Sequence, residues 1–226
     1  MRILERMVCG TRMSKVKDII VKVIPSNIAN DFIKKHHYSG KVVPNSTLHF
    51  GAFLDGKLHG VMSYGPSINK KGTMNLVRGT GWNEFIELNR MAFDDYLPKN
   101  SESRCIAYSL KLIKKNAPQI KWVISFADGC QCGDGTIYRA SNFVLTDIRK
   151  NEALKINPIT GEKIHTITAY HQKNTDFKNW KSLDGYQLRY IYFIDKNCIK
   201  DLNCQIIPFS KIDEIGAGMY KGKKKS

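Results

Sequence analysis

The sequence predicts an α/β fold of the α+β kind: one mixed β-sheet with helices on both faces. Three observations carry this. Asp55-Gly56-Lys57 divides two short runs, TLHFGAFL and LHGVMSY, as the turn of an antiparallel hairpin does. Residues 84–93, 102–115 and 120–127 read strand, helix, strand, and a crossover of that kind makes its two strands parallel. The chain has 226 residues, of which 42% are hydrophobic, so both kinds of pairing can share one substantial core.

The first strand is predicted at 19–24, where IIVKVI is rich in β-branched side chains. Pro25-Ser26 then opens a helix with Ser26 as its N-cap. Ile28 and Phe32, and Ala29 and Ile33, recur at a spacing of four, which carries the helix on to His36 and His37 before Gly40 stops it. After the hairpin, EFIELNRMAF is a strand with Glu87, Asn89 and Met91 on one face and Ile86, Leu88 and Arg90 on the other. Asn100-Ser101 cap the helix at 102–115, whose buried stripe is Ile106, Leu110 and Ile113. IKWVISFA at 120–127 is apolar on both faces, as in a buried parallel strand. A short helix near 136–142 precedes three more strands, VLTDI, HTITAY and YQLRYIYFI. The expected organisation is a basic N-terminal extension (1–18), a single catalytic domain (19–200) and a C-terminal extension (201–226) ending in the basic tail KGKKKS.

Lys plus Arg number 36 against 20 Asp plus Glu, a net charge of +16. That excess favours a polyanionic partner, because each phosphate neutralised by Lys or Arg releases condensed counterions. Lys223, Lys224 and Lys225 in the tail are candidate nucleic-acid contacts. No run of about 18 apolar residues is present, so no membrane helix is expected. MRILERMVCGTRMSK lacks the apolar segment of a secretory signal. Six scattered cysteines in a chain too large to need stapling read as reduced thiols of a cytoplasmic protein.

Four constellations could carry chemistry. In His36-His37-Tyr38-Ser39, adjacent histidines on a helix diverge by about a hundred degrees, so one can serve a site while the other packs or is solvated. Glu87-Leu88-Asn89-Arg90 places a carboxylate, an amide and a guanidinium within an apolar strand, where burial without partners is costly. They form either an ion pair with a neighbouring strand or the lining of a cleft. The PKNSES loop leads into a helix N-terminus, which suits a phosphate or simply caps the helix. Asp128 ends a buried parallel strand, where open α/β sheets bind ligands. Cys130 and Cys132 form Cys-x-Cys with no second pair at zinc spacing, and the glycines around them lack the order of a triphosphate loop. The loop between Asp128 and Gly135 is expected to be a flexible rim.

The ordered blocks KKHHYSG, GVMSYGPS, ELNRMAF, PKNSES, IKWVISFAD and GTIYRASNF resemble the Mom family of phage DNA-modification proteins, within the acyltransferase-like GNAT superfamily. They span residues 34 to 143, and the strand order extends the likeness to about 195. The resemblance implies a GNAT-like sheet and an enzyme that converts the exocyclic amine of adenine in DNA to a carbamoylmethyl (acetamido) amine, shielding phage DNA from host restriction. It implies site roles for His37 and Tyr38, for Glu87 and Arg90, for Ser101 and Ser103, for Asp128 and for Tyr138. It also makes His37, Asp128 and Tyr38 a candidate site for a first-row metal such as iron. PKNSES departs from the glycine-rich phosphate loop of ordinary GNAT enzymes, which argues against acetyl-CoA as donor.

The expected partner is double-stranded DNA in a bacterial host cell, with the target base flipped from the stack. Two schemes stay open. In one, Glu87 or Asp128 takes the amine proton and Tyr38 protonates the leaving group, with Arg90 and the Ser101 loop holding a phosphate. In the other, His37 and Asp128 ligate a metal. The alternatives are an acetyl-CoA-dependent N-acetyltransferase acting on a small amine, protein or aminoacyl-tRNA, and a non-catalytic basic DNA-binding protein.

Overall fold

A computed structural model describes residues 16–173 and 176–225. The N-terminal extension expected at 1–18 lies almost wholly outside them. The elements in chain order are β1 (Ile20–Val23), α1 (Ser26–His36), β2 (Leu48–Leu54), β3 (Lys57–Gly65), α2 (Lys70–Met74), β4 (Phe85–Phe93), α3 (Ser101–Asn116), β5 (Trp122–Asp128), α4 (Thr136–Ala140), β6 (Val144–Lys150), β7 (Leu154–Ile156), β8 (Lys163–His165), α5 (Thr166–His171), β9 (Lys181–Ser182), β10 (Tyr186–Phe193), α6 (Ser210–Glu214), β11 (Met219–Tyr220) and β12 (Lys223–Lys224).

Seven strands form one sheet in the order β1-β2-β3-β4-β5-β10-β6. The single parallel pair is β4 with β5, the crossover the sequence predicts. It runs only from Phe85–Trp122 to Leu88–Ser125, although β4 continues to Phe93 and β5 to Asp128. Past Leu88 and Ser125 the two strands are no longer paired. β10 holds the other edge of β5 in antiparallel register as far as Gln187–Asp128.

One sheet face is covered by α3 and α4, with Cys105, Ile106, Leu110, Ile113 and Tyr138 packed on Leu88, Val123 and Leu188. On the other face, Ala29 and Ile33 of α1 pack on Val61 and Ala92. Further along it, Phe85 stacks on the fully buried Trp122 at 4.6 Å, beside Val77 and Ile191. The apolar spacing of four in α1 thus becomes a buried stripe on a sheet covered on both sides. Asp55 and Gly56 both adopt positive φ, as the two-residue hairpin turn requires.

Four local expectations change. Pro25, in extended conformation, occupies the N-cap of α1, and Ser26 is the first helical residue. Asn100 is the N-cap of α3 in a left-handed conformation, and its side chain makes no capping bond. HTITAY is helical: α5 begins at Thr166, and the N-capping His165 accepts from the N–H of Ile167 at 3.2 Å. Its apolar side chains serve a satellite of β7, β8 and β9, clustered around Ile164, Ala169 and Phe177 and inserted between β6 and β10. Lastly, the alternation of β4 breaks at Asn89, where the pairing with β3 jumps from Ser63–Arg90 to Tyr64–Leu88. That bulge puts Met91 and Phe93 on the same core side as Ile86 and Leu88. Arg90 accordingly shares the face of Glu87, not the opposite one.

The segment from 201 onward is more than an extension, since Ile212 and Ala217 lie in the main core and Ile207 bridges to Leu145.

Candidate active site

The end of α1 separates the two histidines. His36 stays helical and stacks on Phe32 at 4.3 Å. His37 leaves the helix with extended backbone, and its ring lies 4.3 Å from that of Tyr38. The N–H of Ser39 donates to His37 Nδ1 at 3.1 Å, so the neutral ring carries its proton on Nε2. The reversal is completed at Gly40, whose φ is +59. It aims Tyr38 across the sheet, and its hydroxyl donates to Asp128 Oδ2 at 3.0 Å, a bond between residues 90 apart in sequence.

Asp128 stands where β5 ends, beyond its parting from β4. Four donors converge on its carboxylate. Tyr38 and Gln131 Nε2, at 3.1 Å, meet Oδ2; the N–H of Cys130, at 3.0 Å, and Gln187 Nε2, at 3.1 Å, meet Oδ1. Gln131 and Gln187 escape a reading by residue type, because an amide is chemically informative only beside the group it orients.

The CQCGD loop is therefore no flexible rim. Its first turn wraps Asp128, whose carbonyl accepts from the N–H groups of Cys132 and Gly133. Its far end is pinned by the C-terminal hairpin β11–β12. Asp134 is buried and accepts from Thr136 Oγ1 at 2.9 Å, while Lys225 Nζ meets its carboxylate at 2.5 Å. Lys225 is thus engaged in the fold, whereas Lys223 and Lys224 are exposed on β12. Replacing Lys225 with methionine would leave Asp134 without its cation. A loss of about 1–2 kcal/mol is expected in urea unfolding, because the lysine itself is half-exposed.

The electrostatics follow from this placement. Withdrawal from water and the Arg90 guanidinium hold His37 down to about 4, against the pull of Asp128. The imidazole is neutral at pH 7. As pH falls from 6.5 toward 4, the unfolded chain binds a proton here that the folded one refuses, so stability is lost across that window. Urea unfolding at stepped pH should show this slope, and His37→Gln should flatten it.

Partial burial, reinforced by Asp128, raises the Tyr38 phenol and keeps it a proton donor. Burial also raises Glu87, against hydrogen bonds from Ser67 and Asn89 and the charge of Arg90. Arg90 donates to the carbonyls of Lys41, at 3.1 Å, and Asn89, at 2.9 Å. It bears electrostatically on His37, Tyr38, Glu87 and Tyr138 together. Burial pushes Cys130 up to about 12 and raises Cys132, so neither is an activated nucleophile. His165 of the satellite also borders the site, feeling both Asp128 and Lys41.

Three residues expected at the site are occupied elsewhere. Ser101 is fully buried and its hydroxyl donates to the Pro98 carbonyl at 2.5 Å. Ser103 turns to the Asn100 carbonyl at 3.2 Å. Tyr138 is buried beneath the parting strands, its hydroxyl 2.8 Å from Ser125 Oγ. The serines at the helix start thus donate to local carbonyls.

The donor set does not fit an iron centre. Among the described residues no three His, Cys, Asp or Glu side chains converge. Each oxygen of Asp128 already meets two donors, and His37 turns Nδ1 to Ser39.

A phenol held on a carboxylate, with a guanidinium and a second, half-buried carboxyl on the same sheet face, marks a candidate enzyme centre in an α+β protein. The chain belongs to the Mom protein family, which it matches over residues 18–211. It is 35% identical over 202 residues to the methylcarbamoylase Mom of Escherichia phage Mu, covering 84% of this chain and 81% of that protein. Solved structures with similar coordinates include a spermidine/spermine N-acetyltransferase of Vibrio cholerae (TM-score 0.48, 9% identity, 82% of this chain and 98% of that one). Another is an acetyltransferase of Bacillus cereus (TM-score 0.46, 11% identity, 77% and 99%). Among the described residues no helix is long and apolar enough to cross a membrane.

Proposed function

We propose that this enzyme attaches a carbamoylmethyl group to the exocyclic amine of adenine in DNA, within a phage-infected bacterial cell. The observation that carries the reading is the Tyr38–Asp128 bond, which joins two of the sequence blocks behind the family resemblance at the end of β5. The relative from phage Mu is named for methylcarbamoyl transfer. The net charge of +16 suits a DNA substrate, whose phosphates it would neutralise.

Each group then has a task. Glu87, with its raised pKa, accepts the proton that the amine loses as its nitrogen bonds to the donor carbon. Tyr38 gives its proton to the leaving group as the donor's bond to that carbon breaks. Asp128 orients the phenol. Arg90 offsets the charge of the two carboxyl groups, and burial together with Arg90 keeps His37 neutral. The target amine is hydrogen-bonded inside a duplex, so the base must leave the stack to reach them.

The test is to express the chain in bacteria, digest the cellular DNA to nucleosides and weigh them. Deoxyadenosine heavier by an acetamido group is the expected product. Unmodified DNA from cells holding soluble, folded protein would overturn the reading. Tyr38→Phe keeps the ring and loses the donor, and is expected to reduce the mark about ten-fold or more.

A further inference from the structure

We infer that Phe126 is the platform on which the target base stacks, an assignment that rests on the adenine reading above. β5 is a central strand, yet Phe126 is 45% exposed while its neighbours Ser125 and Ala127 are buried. A large apolar ring open to water in mid-sheet needs a reason, because covering it is the default. The reason is local. Ile124, on the same face, is sealed by the Trp122 cluster, and Ala92 of β4 by α1. Neither cover reaches Phe126, which lies just past the point where β4 leaves β5.

Phe126 and Asp128 are two residues apart, so they project from one face of the strand side by side, about 7 Å apart. Their cross-strand partners on β10 are Arg189 and Gln187, which share that face. The exposed ring is thus framed by polar groups: Asp128 with Tyr38 on it, the amide of Gln187 anchored on Asp128, and the Arg189 guanidinium. Arg189 is itself fixed, with Nε 3.0 Å from Thr146 Oγ1 and Nη1 3.5 Å from Asp147. A flat heterocycle with a polar edge suits both parts of the site, its face on the ring and its edge on the Gln187 amide. Side-chain amides pair with the edge of adenine, and aromatic rings accept the face of an unstacked base. Its exocyclic amine then points at the Tyr38–Asp128 pair. The charge of the chain favours the nucleic-acid form of such a ring over a free one.

The test uses the full chain and its Phe126→Ala, Phe126→Leu and Phe126→Trp variants. Two measurements are made: the adenine mark in cellular DNA, and the fluorescence of a duplex with 2-aminopurine at the target position, which is quenched when the base stacks. Because the ring is exposed, the variants should unfold within a few degrees of the parent. Leucine keeps bulk without a π face, so it guards against a packing effect. Expected are a loss of the mark by roughly ten-fold or more for alanine and leucine, retention for tryptophan, and brighter bound 2-aminopurine for alanine and leucine than for the parent. Affinity for a duplex lacking adenine should be unchanged. A marking parent whose alanine or leucine variant marks equally well would overturn the platform and leave the adenine reading standing. A parent that leaves no mark would sink the adenine reading, and the 2-aminopurine comparison would then decide the stacking alone.

Discussion

Replacing Asp128 with alanine is expected to remove the adenine mark, reducing turnover by about a hundred-fold or more. The carboxylate meets Tyr38, Gln131, Gln187 and the Cys130 N–H at once. Without it the phenol has no fixed direction. Asp128→Asn separates this effect from a loss of stability. It keeps the size of the side chain but turns one oxygen into a donor, which faces the donors already there. Its activity should fall nearly as far as that of alanine, whereas its thermal unfolding should stay closer to the parent. Nucleoside masses together with melting curves read both. A soluble alanine variant that marks DNA at the parental level would remove Asp128 from the site.

The second large effect is on folding. Gly135→Ala is expected to cost about 2–4 kcal/mol, seen as a drop in melting temperature of roughly 5–15 °C. Gly135 has φ +84, which an L side chain resists, and an added Cβ would stand 2.4 Å from the ring of Tyr190. Tyr190 cannot yield, because it is fully buried and its hydroxyl donates to the carbonyl of Asp134 next door. Gly56→Ala is the control. Its φ is +77 but no atom lies within 4 Å of the new Cβ, so about 1 kcal/mol of backbone strain is the whole effect. Equal losses at the two positions would mean that the loop does not clamp as described. The loop from 129 to 135 also carries Cys130 and Gln131, so the Gly135 variant should lose the mark at temperatures where it is still largely folded.

Much of the fold was legible because it rests on local patterns. β-branched runs, a turn with two positive-φ residues and an apolar spacing of four describe what neighbouring residues do, and they located the hairpin, α1, α3 and the parallel pair. HTITAY failed for the reverse reason. Its alternation suits a strand, but the satellite sheet ends at His165, whose ring caps a helix instead. The phase of β4 failed because a bulge is a mismatch between two strands, and β4 alone does not contain β3. Ser101, Ser103 and Tyr138 were plausible by motif, yet a hydroxyl serves chemistry only if the fold leaves it unspent. Ser101 and Ser103 donate to the carbonyls of Pro98 and Asn100, and the Tyr138 hydroxyl accepts from Ser125 within the core.

The sequence by itself determined the class of the sheet, the position of Asp128 at a strand end, the basic character of the surface and the family to which the chain belongs. Tertiary structure alone decided which groups meet. Tyr38 reaches Asp128 across 90 residues, Arg90 joins Glu87 on one face, Lys225 locks Asp134, and Phe126 is left bare between two covers. The physical reason is common to all four. Backbone preference is a property of short windows, whereas a hydrogen bond, an ion pair or an uncovered ring depends on where distant segments cross, and that is set by the packing of the whole chain.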